Sequence, residues 1–148
     1  MADTKPTLSG FTAYCRANGF TSAAIPDGDP GFDIDFAIAL AWVPCVLNSV
    51  SCALYTYTVY QWGASVMINR QQDQVGSTFF ADLRSKFLID NFVPGVISSA
   101  SDQGTAESLT VGTALSNMSV ADLQRTKDPF GREALATMMA AGGFWGLS

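Results

Sequence analysis

Histidine is missing from all 148 residues, and charge is scarce: eight Lys and Arg, thirteen Asp and Glu, 14% of the chain together. The first absence removes the Ser-His-Asp and Cys-His nucleophile systems and the commonest metal ligand. The eight basic residues are scattered, so the clustered Lys/Arg patch that grips nucleic-acid phosphates is also missing. A net charge of −5 and a pI near 4.3 point the same way. An acidic surface could still face DNA without holding it, as in a channel through which DNA slides. Cysteine is limited to Cys15, Cys45 and Cys52, an odd count without the C-x2-C spacing of a zinc site. Cys45 and Cys52 would share a face if one helix joined them, but seven residues of regular helix is too long for a disulfide. Buried free thiols are the expectation. The opening "MADTKPTLSG" carries no apolar stretch behind a basic start, so it does not read as a signal peptide.

Against these shortages stands a hydrophobic fraction of 48% and a mean hydropathy of +0.20. Soluble domains carry roughly 25% charged residues. A chain with so little charge implies a membrane protein or a surface covered by partners. From Phe36 to Asn69, "FAIALAWVPCVLNSVSCALYTYTVYQWGASVMIN", no residue is charged. A bilayer span needs about 20 apolar residues. Pro44 divides this run, however, and "LNSVS" after it is a polar turn cluster. The second half interleaves Thr, Tyr, Gln and Ser with apolar residues, and the flanks lack a Lys/Arg bias. Two buried helices of a bundle or oligomer fit better than one span, with a small membrane protein such as a lysis factor as the alternative.

Helical spacing of Leu8, Phe11, Tyr14 and Cys15 predicts a first helix over residues 7–18, stopped at Gly19. Asp29-Pro30 has the N-cap and first-turn-proline arrangement of a second helix, with Phe32, Phe36, Leu40 and Val43 on one stripe. A third is expected from about Ser51 to Arg70, with Leu54, Val59, Trp62 and Val66 inward, although "LYTYTVY" would also suit a strand. Ser77 reads as the N-cap of a fourth, with Phe79, Phe80, Leu83 and Phe87 recurring at helical steps. Ser119–Asp122 resembles a capping box opening "VADLQRT". Asp128-Pro129 opens the last helix, with Leu135, Met138 and Met139 inward and Gly142-Gly143 ending it.

Residues 91–118 differ: rich in Ser, Gly and Thr, long for a loop, yet holding Phe92, Val93, Val96, Ile97, Leu109 and Val111. They read as an irregular or β-hairpin arm that packs on a neighbour. The fold expected is therefore mainly α: a single domain over 1–148, a bundle of about five helices, the arm at about 91–118, and an extended C-terminal tail. The tail, residues 142–148, holds Phe144, Trp145 and Leu147 where chain ends are normally polar and solvated. It either folds back on its own core or is held by another molecule. The expected assembly contacts are thus Phe92, Val93, Val96, Ile97, Phe144, Trp145 and Leu147.

No constellation for catalysis, cofactor or metal emerges. Asp33 and Asp35, two apart, point in different directions on a helix and are expected to favour its N-terminus through the macrodipole. "SSASDQGT" around Asp102 lacks the GxxxxGK[ST] phosphate cradle and reads as a turn or arm tip. An enzyme would need Asp102 or Glu107 to meet a basic partner in a pocket. Arg132 and Glu133 suit a surface or inter-subunit ion pair, and Met138-Met139 a pliable core or interface.

The phrases "FVPGVI", "SASDQGT", "DLQRTKDPFGR" and "FWGLS", within roughly residues 33–148, resemble a family of small virion proteins of tailed bacteriophages encoded among head and neck genes. This chain departs from the pattern in "VPC" after Ala41-Trp42, where the related helix continues, and in "ATMMAAGG", which replaces a more polar final helix. The resemblance implies a virion structural protein, most like a mainly helical head-to-tail adaptor. Such a protein would sit as a ring of about twelve copies beneath the portal, contact tail or nozzle proteins, and meet DNA only as passing cargo. A capsid decoration or tail-tube role is the alternative within the virion. Phe144, Trp145 and Leu147 would then anchor in a groove on the portal or the next subunit.

Overall fold

The uncharged middle of the chain becomes the centre of the molecule. The computed structural model describes residues 5–90, 99–102, 105–108 and 124–141. Its helices are α1 (Leu8–Ala17), α2 (Pro30–Trp42), α3 (Val46–Val50), α4 (Cys52–Arg70), α5 (Phe79–Lys86) and α6 (Pro129–Ala140). Between α5 and α6, strands β1 (Ser99–Asp102) and β2 (Thr105–Ser108) pair antiparallel, Ser99 opposite Ser108 and Asp102 opposite Thr105. The mainly helical fold expected from the sequence is what forms, with a hairpin inside the stretch read as the arm.

α4 is the axle. Every residue from Gln61 to Ile68 is buried, as expected for a helix apolar on all sides. "LYTYTVY" is helical here, not a strand, because neighbours on several sides supply the apolar contact that β-branched and aromatic residues need. α2 packs antiparallel on one side of α4, Asp35 lying at Arg70 and Ala39 beside Gly63. α6 packs antiparallel on another, Asp128 at Ser65 and Glu133 at Gln61. α1 comes close enough that a Cβ on Gly63 would stand 2.8 Å from two ring carbons of Phe11. Glycine is what lets that ring lie against the α4 backbone.

Two apolar clusters result. One joins Phe11, Cys15, Phe20, Ile25, Phe32, Met67, Ile68 and Phe80; the other joins Ala39, Val43, Leu47, Val59, Trp62, Val66, Leu135 and Met138. Each long helix begins on the cap that the sequence offers. Thr7 accepts from Gly10 N–H at 3.1 Å, Asp29 from Gly31 N–H at 2.7 Å, Ser51 from Leu54 N–H at 3.3 Å and Asp128 from Gly131 N–H at 2.7 Å.

Four expectations change. The turn cluster after Pro44 is not a loop but the short helix α3, followed by an extended Ser51 that both breaks the chain direction and caps α4. Leu40 does not complete the inward stripe of α2; it is 38% exposed, since the inward positions after Phe36 are Ala39 and Val43. Ser77 does not alone cap α5. Its hydroxyl accepts from Phe79 N–H at 3.3 Å, but the Asp73 carboxylate takes the N–H groups of Phe80 and Ala81 at 2.8 and 2.9 Å. Finally, of the three thiols only Cys15 is buried; Cys45 is exposed and Cys52 half-buried, because the break at Ser51 leaves both on the outer side of the α3–α4 junction. Among the described residues no helix is long and apolar enough to cross a membrane. The single-span alternative fails with it, the run being cut into α2, α3 and α4.

Candidate assembly surface

The two buried carboxylates find their partners within the bundle itself. Asp35 is not the solvated macrodipole partner expected, a role left to exposed Asp33 in the first turn of α2. Asp35 is fully buried and accepts from Arg70 Nε at 2.7 Å and Gln71 Nε2 at 2.8 Å, tying α2 to the end of α4. Asp128, also fully buried, accepts from Ser65 Oγ at 2.8 Å and Gly131 N–H at 2.7 Å. Burial pushes its carboxyl above the usual aspartate range, and those hydrogen bonds with Arg125 oppose the rise only in part. Burial likewise pushes the Cys15 thiol up to about 12, which keeps it protonated and unreactive. Gln61 donates its amide to Glu133, while the Arg125 guanidinium lies over the Trp62 ring at 4.4 Å. Arg132 and Glu133 are both exposed, and Glu133 reaches across to α4. These contacts lock helices together. Among the described residues no group of three or more His, Cys, Asp or Glu is placed to hold a metal ion.

The outer surface is more telling. Asp29 and Pro30 start α2, and its core side is filled by Phe32, Asp35, Ala39 and, just past its end, Val43. On the opposite side Ile34, Ala37 and Ala41 are exposed, with Ile38 half-buried among them. Positions 34, 37, 38 and 41 adjoin on a helix surface, so they make one apolar stripe. Ile34 is 46% exposed and Trp42 59%. Past the end of α2, Val46 and Val50 of α3 are also open, 47% and 65% exposed. Because no residue from Phe36 to Asn69 is charged, no charge interrupts it. Isolated exposed apolar residues mean little, whereas a contiguous patch marks a contact surface. Depletion of charge with an added Trp is the composition of an interface centre.

Sequence reasoning missed this face, having followed only the inward stripe Phe32, Phe36, Leu40 and Val43. The signal was present, since the remaining positions of α2 are apolar too. The residues it did nominate, Phe92, Val93, Val96, Ile97, Phe144, Trp145 and Leu147, lie outside the described residues, as does the Ser119–Asp122 capping box. Comparison with protein-family models, with curated proteins and with solved structures found no match.

Proposed function

We propose that this chain is a structural subunit whose work is assembly, and that within the virion resemblance it serves as a head-to-tail adaptor. The observation that supports this is α2, apolar on its solvent side as well as its core side. A ring of copies would cover Ile34, Ala37 and Ala41 with a neighbour and relieve the shortage of charge at the surface. In the adaptor reading the ring, of about twelve copies, sits against a portal protein and receives tail or nozzle proteins below. The excess of Asp and Glu over Lys and Arg suits a channel through which DNA passes without being gripped.

Ala37→Arg tests the general reading. The position is exposed, so a charge there leaves the fold intact but must be desolvated in any contact that covers α2. The expected result in sedimentation is a wild-type chain that associates at micromolar concentration and a variant weakened at least about tenfold, or 1.4 kcal/mol. A wild-type chain that remains monomeric throughout would overturn the proposal. Copy number separates the virion roles. The resemblance implies an adaptor in about a dozen copies per particle, as one closed ring at a single vertex, and a decoration or tail-tube protein in far greater number.

A further inference from the structure

We propose that the junction of α1, α4 and α6 is a binding site for a guanidinium group, received by the Glu133 carboxylate, the amide oxygen of Gln61 and the ring of Tyr57. The proposal is independent of the assembly reading, which concerns the outer flank of α2.

Helical spacing gathers the residues. Tyr57 and Gln61 stand one turn apart on α4, and Phe130 and Glu133 one turn apart on α6. Gln61 donates its amide N–H to Glu133, which holds the two helices together at this level. Tyr14 of α1 closes the third side. Its ring stands nearly perpendicular to those of Tyr57 and Phe130, with centroids 5.8 and 6.4 Å away. The hydroxyls of Tyr14 and Tyr57 share a hydrogen bond, and burial, followed by Tyr57, Cys15 and Glu133, pushes the Tyr14 phenol above its usual range. That ring therefore stays neutral. Glu133 is exposed and Tyr57 is 47% exposed, whereas Gln61 between them is 1% exposed.

The junction is rich in acceptors. The Gln61 nitrogen is committed to Glu133, while the oxygen of the same planar amide is buried and has no hydrogen-bond partner. An unpaired buried acceptor is unusual in a folded chain and calls for an explanation. Glu133 brings a carboxylate that no described cation neutralises. The ion pairs among the described residues are Arg16–Asp27, Arg70–Asp35 and Arg84–Asp73, all elsewhere in the bundle. Two acceptors side by side, one of them charged, select a cation that carries N–H donors.

The aromatic wall narrows the class. Tyrosine rings attract a cation over their faces, and a guanidinium combines that contact with a planar fork of donors and weak hydration. A quaternary ammonium has the charge but no donor for Gln61. A lysine-type ammonium is a strongly hydrated point charge and does not stack. The fold already uses the same chemistry one position along α4, where the Arg125 guanidinium lies over the Trp62 ring at 4.4 Å. Entry to the junction needs no backbone movement, because the exposed side chains of Tyr57 and Glu133 flank Gln61 and turn by rotamer changes alone.

The chain has four tyrosines, and Tyr55 packs on the other apolar cluster, so it serves as an internal control. Ethylguanidinium titrated into the full chain with isotope-labelled tyrosine rings is expected to move the NMR signals of Tyr14 and Tyr57 along one saturable curve. The midpoint should fall in the roughly millimolar range of a very small ligand, with Tyr55 unmoved. Tetramethylammonium, equal in charge but without N–H donors, is expected to bind at least about threefold more weakly. Glu133→Gln keeps an acceptor for the Gln61 amide and should leave Tm unchanged while weakening ethylguanidinium at least about threefold. No saturable shift at Tyr14 and Tyr57, equal binding of tetramethylammonium, or undiminished binding to Glu133→Gln each overturns the proposal. The source of the group is read by comparing free arginine with arginine inside a short capped peptide. Tighter binding of the peptide assigns the site to an arginine side chain of a protein, and tighter binding of free arginine assigns it to a small ligand.

Discussion

Replacing Arg70 by Met separates two accounts of the Asp35–Arg70 pair: that it merely decorates the bundle, or that the arginine is what permits a carboxylate in the core. The Asp35 side chain is fully buried while that of Arg70 is 41% exposed. Arg70 Nε donates to one carboxylate oxygen at 2.7 Å and Gln71 Nε2 to the other at 2.8 Å. Arg70→Met keeps the aliphatic packing but leaves the carboxylate with only the Gln71 amide. Breaking a buried pair from one side costs about 3–5 kcal/mol, and the open end of Arg70, which admits water, favours the lower value. At about 3–4 °C per kcal/mol for a chain of this length, Tm falls by roughly 10 °C. The diagnostic is the double variant. Asp35→Asn alone is destabilising, since it removes the charge that Arg70 holds. In the Arg70→Met background the same change removes a stranded charge and becomes stabilising, by an amount on the order of 1–2 kcal/mol. Urea denaturation of the four proteins at one fixed, low concentration measures the cycle. Additive effects, or an Arg70→Met loss below about 1 kcal/mol, the value of an exposed pair, would refute the reasoning.

Gly63→Ala is expected to destabilise, although the same change in an open helix gains about 1 kcal/mol. A Cβ 2.8 Å from Phe11 Cε2 and Cζ forces apart a ring boxed in by Phe32, Phe36 and Tyr60. Overpacking of this kind costs about 1–3 kcal/mol, and Phe11→Leu should recover part of it; thermal melts of single and double variants decide. Asp128 controls a pH dependence. Its folded pKa is raised above the unfolded value, so its contribution to stability is full at low pH and is lost as pH rises through the folded pKa. The gain in Tm on acidifying from neutral pH is therefore expected to be larger in the wild type than in Asp128→Asn, which cannot titrate. Parallel Tm-against-pH curves would contradict this.

What the sequence revealed depended on whether the signal was local. Caps are local chemistry: Thr7, Asp29, Ser51 and Asp128 each meet an N–H two or three residues on, and the helix starts at Asp29-Pro30 and Asp128-Pro129 were legible from two residues apiece. The inward faces of α1 and α6 were largely legible for the same reason, through Phe11, Cys15, Leu135 and Met138. Asp35 was misjudged because its partner lies thirty-five positions away, and no local rule places Arg70 there. Asp73 was overlooked as the cap of α5 because it acts across a loop from seven residues upstream. The outer stripe of α2 escaped for another reason. Periodicity identifies a buried face by contrast with polar residues opposite, and a helix apolar all round offers no contrast. Only packing against α4 shows which of its sides remains uncovered.

Lys127 extends its ammonium to the carbonyl oxygen of Leu88 at 2.8 Å. The end of α5 and the approach to α6, thirty-nine positions apart, are therefore held side by side. A segment pinned at both ends in this way can grow cheaply, because each doubling of an insertion's length costs only about 0.6 kcal/mol in closure entropy. The length of chain between these two anchor points can therefore change while Leu88 and Lys127 stay together. The six described helices thus keep a fixed exit and re-entry point, so descendants of this chain can lengthen or shorten what lies between without moving either one.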